Sequence, residues 1–311
     1  MISDRLLKTL GKPISRAKGS VKLAGSEAQL DGGYWVDSLS LGGVHFQKFW
    51  AAHFKSPYLD EIAVDEEIDG LLGLGLFADC LLTLDYPTRT LILAQGKLPP
   101  KDGLDILPYE LKHGIPHIDI LAGGTTLRMA IDSGGGFIDV AADDLKGLPI
   151  HAGPIRLPGS QSLYVRAKCD FSIGRHVVSC PLVSSSKGFE RTLGARLLQQ
   201  FSVTFDQTQR LVRFTREGDK PVYNGTLVPT FGVAFTREGP DWTVTDAVPE
   251  LLGGVDIQIG DRILAVDGHP VAEAAAGECL KNPSVTLALA RGEKRWQAKL
   301  TATIPLPPPS K

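Results

Sequence analysis

An internal repeat constrains this chain more than any other feature of its sequence. Residues 39–46 read as a strand, a glycine-containing turn and a second strand, and residues 171–178 show the same pattern 132 positions later. Further on, residues 71–73 match 192–194, and residues 83–85 match 204–206, with an offset of 121 positions. Blocks that recur in the same order, separated by one 11-residue insertion or deletion, indicate two copies of one β-rich unit.

The second copy contains a β-hairpin that ends in a carboxylate. Apolar residues alternate over 115–121 and 127–131, and the Gly123-Gly124 pair between them is typical of a tight hairpin turn. The second strand leads directly into Asp132-Ser133-Gly134 and two more glycines. An aspartate in a turn commonly caps local N–H groups. The motif alone therefore permits a structural role, and its place in the repeat favours a functional one.

These motifs resemble those of a known enzyme family. Asp132-Ser133-Gly134 together with Leu193-Gly194-Ala195 and residues 203–206 resembles one lobe of a retropepsin-like aspartic protease. Residues 69–75 and 82–86 resemble the end of a second lobe. The resemblance implies a mainly β fold with two retropepsin/pepsin-like β-barrel lobes. We place the lobes at 1–98, which is N-terminally incomplete, and 103–217.

The first lobe departs from the family pattern at its N-terminal end. The 132-residue offset places the equivalent of Asp132 before Met1, and residues 2–11 read as the helix that follows such a motif. We therefore expect the chain to begin just after its first catalytic turn. Asp4 lies in that predicted helix and is a poor substitute. The second carboxylate would come from upstream residues or from a second chain, as in dimeric retropepsins, or it would be lacking altogether.

The resemblance implies hydrolysis of peptide bonds by a water held between two aspartates. One carboxylate takes the proton of the water, and the other, protonated, hydrogen-bonds the peptide carbonyl. Asp132 is the predicted catalytic carboxylate. The Ser133 hydroxyl would brace the opposing turn, and Gly134 would let the backbone fold tightly under the carboxylate. Residues 151–165 form the predicted substrate flap, with Leu157, Pro158, Gly159 and Ser160 at its tip.

A third domain is predicted after the polar, turn-rich residues 216–221. Residues 253–268 include Gly260-Asp261, Ile263 and Val266-Asp267-Gly268, and they resemble the signature of PDZ domains. The resemblance implies a PDZ domain over 222–304. We expect the proline-rich residues 305–311 to form a disordered or extended tail.

PDZ domains bind a peptide as an added strand at a sheet edge, and backbone N–H groups of a glycine-containing loop hold its carboxylate. Phe231, Gly232, Val233 and Ala234 occupy that loop here, and an alanine-rich helix near 271–280 would line the groove. The resemblance thus implies a C-terminal peptide as a ligand. A domain that only packs against the lobes is the alternative.

Composition narrows the range of partners. A net charge of −2 gives no general attraction for nucleic acid. No stretch has the length of an integral membrane segment. We predict no cofactor. We also predict no metal site, because Pro116 disfavours the helix on which the spacing of His113 and His117 would form one.

Two of the four cysteines are positioned to meet. Cys169 and Cys180 fall opposite each other in a hairpin that turns at Gly174-Arg175. At such a hydrogen-bonded pair the side chains lie further apart than at the alternate positions. Two free thiols and a disulfide both remain open.

The sequence therefore predicts an aspartic-type endopeptidase that acts on peptide or protein substrates, with a PDZ domain that binds peptide termini. A catalytically inactive peptide-binding scaffold that uses the PDZ groove is the alternative. The resemblance is to exported bacterial proteins, and it implies a periplasmic or secreted location if a signal peptide precedes Met1.

Overall fold

The computed structural model describes residues 6–7, 10, 19–23, 26–55, 69–186, 190–218, 221–222, 225–238 and 241–307. The chain is mainly β. Within these ranges no helix is both long and apolar enough to cross a membrane. The predicted N-terminal helix over 2–11 falls largely outside the described residues, of which Leu6, Leu7 and Leu10 are helical.

The strands are numbered in chain order. In the first repeat and at the start of the second they are β1 Gly19–Leu23, β2 Ser26–Leu41, β3 Val44–Lys55, β4 Leu81–Asp85, β5 Thr90–Ala94, β6 Ile106–Pro108. The second repeat contributes β7 Glu110–Lys112, β8 Ile115–Ala122, β9 Thr125–Ile131, β10 Ile138–Asp139, β11 Ile150–Arg156, β12 Leu163–Ala167, β13 Phe171–Ile173, β14 His176–Val178, β15 Leu182–Ser185, β16 Thr192–Leu193, β17 Ser202–Asp206, β18 Leu211–Thr215. The last strands are β19 Val233–Glu238, β20 Asp241–Ala247, β21 Arg262–Val266, β22 His269–Pro270, β23 Ser284–Arg291, β24 Lys294–Thr301.

The helices are short. From residue 69 onward, the described residues form α1 Ala142–Gly147, α2 Ala195–Leu198 and α3 Ala274–Cys279, with 3-10 turns at Leu74–Phe77 and Pro249–Leu251.

The described strands form four sheets. One contains β1-β2-β3, and a ten-stranded sheet has the order β11-β12-β15-β10-β16-β9-β8-β13-β14 with β7 beside β8. A five-stranded sheet has the order β5-β4-β17-β18-β6 and therefore joins strands of both repeats. The fourth sheet, β19-β20-β21-β23-β24 with β22 beside β21, belongs to the C-terminal part of the chain.

The hairpin expected around Gly123-Gly124 is present as β8 and β9. Ile118 lies opposite Met129, Ile120 lies opposite Leu127, and all four side chains are buried in the largest apolar cluster. Burial of each such side chain contributes on the order of 2 kcal/mol. The hairpin is therefore a rigid base for the turn that follows it.

The internal repeat of the sequence is visible in the strand pairing of the five-stranded sheet. Strands β4 and β17 occupy equivalent positions and pair antiparallel, with Thr83 opposite Thr204, Leu81 opposite Asp206 and Asp85 opposite Ser202. Exchanging the two repeats leaves this set of pairs unchanged. A local two-fold axis therefore passes between Thr83 and Thr204.

The sheet of β19–β24 and helix α3 are called the C-terminal unit here. It has its own apolar cluster, separate from that of the repeats, which includes Trp242, Val244, Ile263, Val266, Ala276, Leu287 and Leu289. Strand β19 lies at one end of this sheet and pairs with β20. Gly277 of α3 faces β19, because a Cβ on Gly277 would lie 3.6 Å from Nη1 of Arg237.

The structure can be compared with two expectations, one for the hairpin that carries Cys169 and Cys180 and one for the C-terminal tail. Strands β13 and β14 turn at Gly174-Arg175 as expected, and Cys169 and Cys180 are both free thiols. The start of the tail differs from the expected disordered or extended segment. Pro305 and Leu306 are buried, because Leu306 packs with Tyr164 and Leu182. Residues 308–311 lie outside the described residues.

Candidate active site

Asp132 stands where strand β9 ends. Its backbone N–H donates to Leu193 O at 3.2 Å, and its own carbonyl accepts from Gly135 N–H at 3.2 Å, which closes a tight turn. The N–H of Gly134 donates to Asp132 Oδ1 at 2.9 Å. Asp132 is half-buried and Ser133 is exposed, so the carboxylate is fixed by the turn but open to solvent.

The glycines of this turn lie against the carboxylate. A Cβ on Gly134 would lie 3.3 Å from Asp132 Oδ1, and a Cβ on Gly135 would lie 3.3 Å from Oδ2. Both distances are shorter than an ordinary van der Waals contact. A side chain at either position would require the carboxylate to shift by a few tenths of an ångström.

The segment that begins at Gly194 braces the turn from behind. Gly194 N–H donates to Phe137 O at 2.8 Å, Ala195 N–H to Gly135 O at 2.6 Å, and Arg196 N–H to Gly136 O at 3.2 Å. The approach is so close that a Cβ on Gly194 would lie 2.3 Å from Phe137 O. Glycine is therefore required at position 194 for a steric reason.

Tyr86 was not predicted as part of this site. It follows β4 of the first repeat, yet its hydroxyl lies beside the Ser133 hydroxyl of the second. Burial raises the pKa of Tyr86, the Ser133 hydroxyl lowers it, and the negative charge of Asp132 raises it, with a net increase. The Tyr86 oxygen is buried and has no hydrogen bond of good geometry. A protonated phenol therefore lies next to the Asp132 turn.

Asp139 is a second carboxylate that sequence reasoning missed. It accepts hydrogen bonds from the Ser184 hydroxyl and, at 3.0 Å, from the Thr192 hydroxyl. Burial raises its pKa, the two hydroxyls lower it, and the charge of Asp132 raises it, with a net increase. The strand register puts Ala130, Thr192, Asp139 and Ser184 in one row across the sheet. Side chains in such a row point to the same face.

The predicted flap is a hairpin formed by β11 and β12, with residues 157–162 as its loop. Ser160 N–H donates to Leu157 O at 3.0 Å, which makes the loop a tight turn at Pro158-Gly159. The hairpin contacts the Asp132 turn through Tyr164, whose ring meets that of Phe137 edge to face at 5.3 Å. Hairpin and turn are therefore neighbours in the fold.

The predicted peptide loop, Phe231 to Ala234, lies in the C-terminal unit at the start of edge strand β19. Gly232 has φ +81°, and a Cβ there would lie 2.9 Å from Leu251 Cβ. Its carbonyl accepts from Val248 N–H at 2.8 Å. The structure brings Ala234 close to the flap tip, since a Cβ on Gly159 would lie 3.5 Å from Ala234 Cβ.

Within the part of the chain that the structure describes, no group of three or more His, Cys, Asp or Glu side chains could hold a metal ion. His117 Nε2 instead lies 3.7 Å from a carboxylate oxygen of Glu190, and its Nδ1 donates to Ile115 O at 2.9 Å. The polar groups at the Asp132 turn are the carboxylate, the Ser133 hydroxyl and backbone N–H groups such as that of Gly134.

Of three comparisons with known proteins, one gave matches. No family model matches the chain, and a search of curated proteins found no match. One similar solved structure is that of a retropepsin-like aspartic protease from Rickettsia conorii, with 15% identity over 35% of this chain and 87% of that one, at a TM-score of 0.29.

Proposed function

We propose that this chain is an aspartic-type endopeptidase in which Asp132 activates the attacking water. The build of the Asp132 turn supports this proposal: the carboxylate is open to solvent, yet Gly134 N–H and three backbone hydrogen bonds from residues 194–196 hold the turn in place. A general base must be held in position in this way, because misplacement of a reacting group lowers the rate steeply.

In the proposed reaction the Asp132 carboxylate takes a proton from water, and the water oxygen forms a bond to the carbonyl carbon of the substrate. A second, protonated carboxyl group hydrogen-bonds the carbonyl oxygen, and the leaving nitrogen takes up a proton as the C–N bond breaks. Two carboxylates that share a proton titrate as a pair. The two-fold axis between Thr83 and Thr204 supports an equivalent turn from the first repeat, or from a second copy, as the source of that group.

The substrates in this proposal are peptides or proteins bound under the β11–β12 hairpin, which we call the flap. The C-terminal unit, as a PDZ-like module, would bind peptide termini at the Phe231–Ala234 loop. The end position of β19 and the neighbouring α3 support that role, because β-strand addition needs a free edge and a groove beside it.

The test is hydrolysis of a mixed peptide library between pH 4 and 7. Four forms are compared: the chain with its upstream reading frame and the chain as it stands, each with and without Asp132→Asn. Asp143→Asn is the matched control, since that carboxylate lies on α1 and is 91% exposed. We expect hydrolysis that Asp132→Asn abolishes and Asp143→Asn leaves unchanged. Hydrolysis that survives Asp132→Asn, or no hydrolysis in any folded form, contradicts the proposal.

A peptide-binding scaffold is the second candidate, and the free edge of β19 favours it independently of Asp132. Its test is fluorescence anisotropy with labelled peptides of random sequence that end in a free carboxylate, compared with the same peptides amidated at that end. Binding of the free acids alone, without hydrolysis in any form, would support the scaffold.

A further inference from the structure

The flap is fastened to the C-terminal unit by a carboxylate of strand β20. Arg156, the last residue of β11, donates through Nη1 and Nη2 to the two carboxylate oxygens of Asp246, with an Nη2–Oδ1 distance of 2.9 Å. Gly159, at the flap tip, donates its N–H to Asp246 Oδ2 at 2.8 Å. One carboxylate thus accepts from both the strand and the tip of the flap.

The environment makes this contact stronger than an ordinary surface ion pair. The Asp246 side chain is 16% exposed and that of Arg156 is 35% exposed. The Arg156 guanidinium, and then Gly159 N–H, lower the pKa of Asp246 to about 2. Two-point guanidinium–carboxylate pairs that are shielded from water combine geometric specificity with strength. The tip also depends on Gly159 itself, which has φ +75°.

The base of the flap is held by the chain segments that lie immediately before and after the C-terminal unit in the sequence. Arg166 on β12 is fully buried and donates to Leu306 O at 3.0 Å and to Gly225 O at 3.3 Å. A small apolar cluster joins the same parts: Tyr164 of the flap packs with Leu227 and Leu306. The flap tip therefore contacts the C-terminal unit itself, and the flap base contacts the segments that flank it.

The flap tip contacts one face of strand β19. Val233 and Phe235 pack against the apolar cluster of the C-terminal unit, whereas Ala234, between them, is the residue that meets the flap tip. Alternate residues of a strand point to opposite faces. The flap therefore docks on the face of β19 that is turned away from this cluster.

We propose that Asp246 is a positioning residue: it acts through Arg156 and Gly159 to hold the flap in place over the Asp132 side of the molecule. The flap role rests on the proposed endopeptidase function, but the attachment itself does not. The C-terminal unit thereby controls how readily the flap opens for substrate.

Amide hydrogen exchange of residues 157–162 in the full chain tests the attachment without any need for activity. In Asp246→Asn we expect exchange of this loop to accelerate at least about threefold, while exchange in β8 and β9 stays unchanged. Asp256→Asn is the matched control, because Asp256 also pairs with an arginine of the C-terminal unit, Arg291, and does not touch the flap.

Unchanged loop exchange in Asp246→Asn overturns the proposal. Peptide hydrolysis is the second readout: we expect KM to rise at least about threefold in Asp246→Asn with a smaller change in kcat, as loss of a binding contribution would give. A KM equal to that of Asp256→Asn would show that the flap position does not matter for substrate. Absence of hydrolysis in the unaltered chain contradicts the endopeptidase function, whereas the exchange result alone decides the attachment.

Discussion

The hydroxyl oxygens of Thr83 and Thr204 lie 2.8 Å apart at the centre of the five-stranded sheet. These residues are equivalent in the two repeats, 121 positions apart, and they face each other across the β4–β17 pair. The hydrogen bond therefore lies on the local two-fold axis. It joins the two repeats at the symmetric point of the β4–β17 pair.

This hydrogen bond should contribute measurably to stability. Thr204→Val leaves the Thr83 hydroxyl without its partner in a partly buried place, and Thr83→Val does the reverse, so each single change should lower the free energy of unfolding by about 1–2 kcal/mol. The double variant removes both groups and should cost less than the sum. Urea denaturation of all four proteins gives the coupling energy. Strictly additive effects would mean that the bond does not stabilise the sheet.

Local patterns made some parts of this fold predictable. The β8–β9 hairpin follows from alternating apolar residues and a Gly-Gly turn, both of which act over a few residues. The equivalence of Thr83 and Thr204 was visible as a repeat. The repeat alone does not predict that these two threonines pair with each other, because that contact depends on how the two copies associate.

The parts that were missed depend on contacts distant in sequence. Asp139 lies on a two-residue strand, β10, whose neighbours β15 and β16 come 45 to 53 positions later at the contacts to Ser184 and Thr192. Tyr86 approaches Ser133 from the other repeat. The Arg156–Asp246 contact spans 90 positions. No short-range pattern marks any of these residues, because each is a single polar side chain whose partner is supplied by strand order.

Glycine 194 and its counterpart Gly73 should respond differently to the same substitution. Both have extended backbone angles that alanine adopts readily, with φ −85° at Gly194 and φ −82° at Gly73. A Cβ at 194 would lie 2.3 Å from Phe137 O, whereas among the described residues no atom comes within 4 Å of a Cβ at 73. We expect Gly194→Ala to lower the free energy of unfolding by about 3 kcal/mol or more and Gly73→Ala to change it little. Thermal unfolding of the two variants makes the comparison, and equal effects would contradict the close approach.

Asp206 should make the fold sensitive to acid. Burial raises the pKa of Asp206. Hydrogen bonds to its carboxylate outweigh this effect and lower the pKa to about 2. The donors are the side chain and N–H of Gln209, the N–H of Leu98 and the Thr208 hydroxyl. Since the folded pKa is below the unfolded one, the stabilisation is present above about pH 5 and is lost as the pH falls towards 2. Asp206→Asn should therefore cost about 2 kcal/mol at pH 7 and progressively less in acid.

Urea denaturation at pH 7 and pH 3 measures this effect. Asp85→Asn is the matched control at the equivalent position of the first repeat, where the carboxylate accepts one hydrogen bond, from Thr88 N–H at 3.3 Å. A difference between Asp206→Asn and the unaltered chain that stays constant over this range would contradict the assignment.

Asp139 should have the opposite pH dependence. Burial and the charge of Asp132 raise its pKa in spite of the two hydroxyl hydrogen bonds. The folded protein therefore keeps this proton to higher pH than the unfolded chain does. The stability that Asp139 contributes is fully present below about pH 4 and is lost as the pH rises through its folded pKa.

Asp139→Asn stays neutral at every pH and its amide oxygen can still accept from a hydroxyl. The free energy of unfolding of this variant, relative to the unaltered chain, should accordingly increase from pH 3.5 to pH 7, and the exposed control Asp143→Asn should show no such trend. A relative stability of Asp139→Asn that falls or stays level over that range would place the charge of Asp139 in water, away from the row of Thr192 and Ser184.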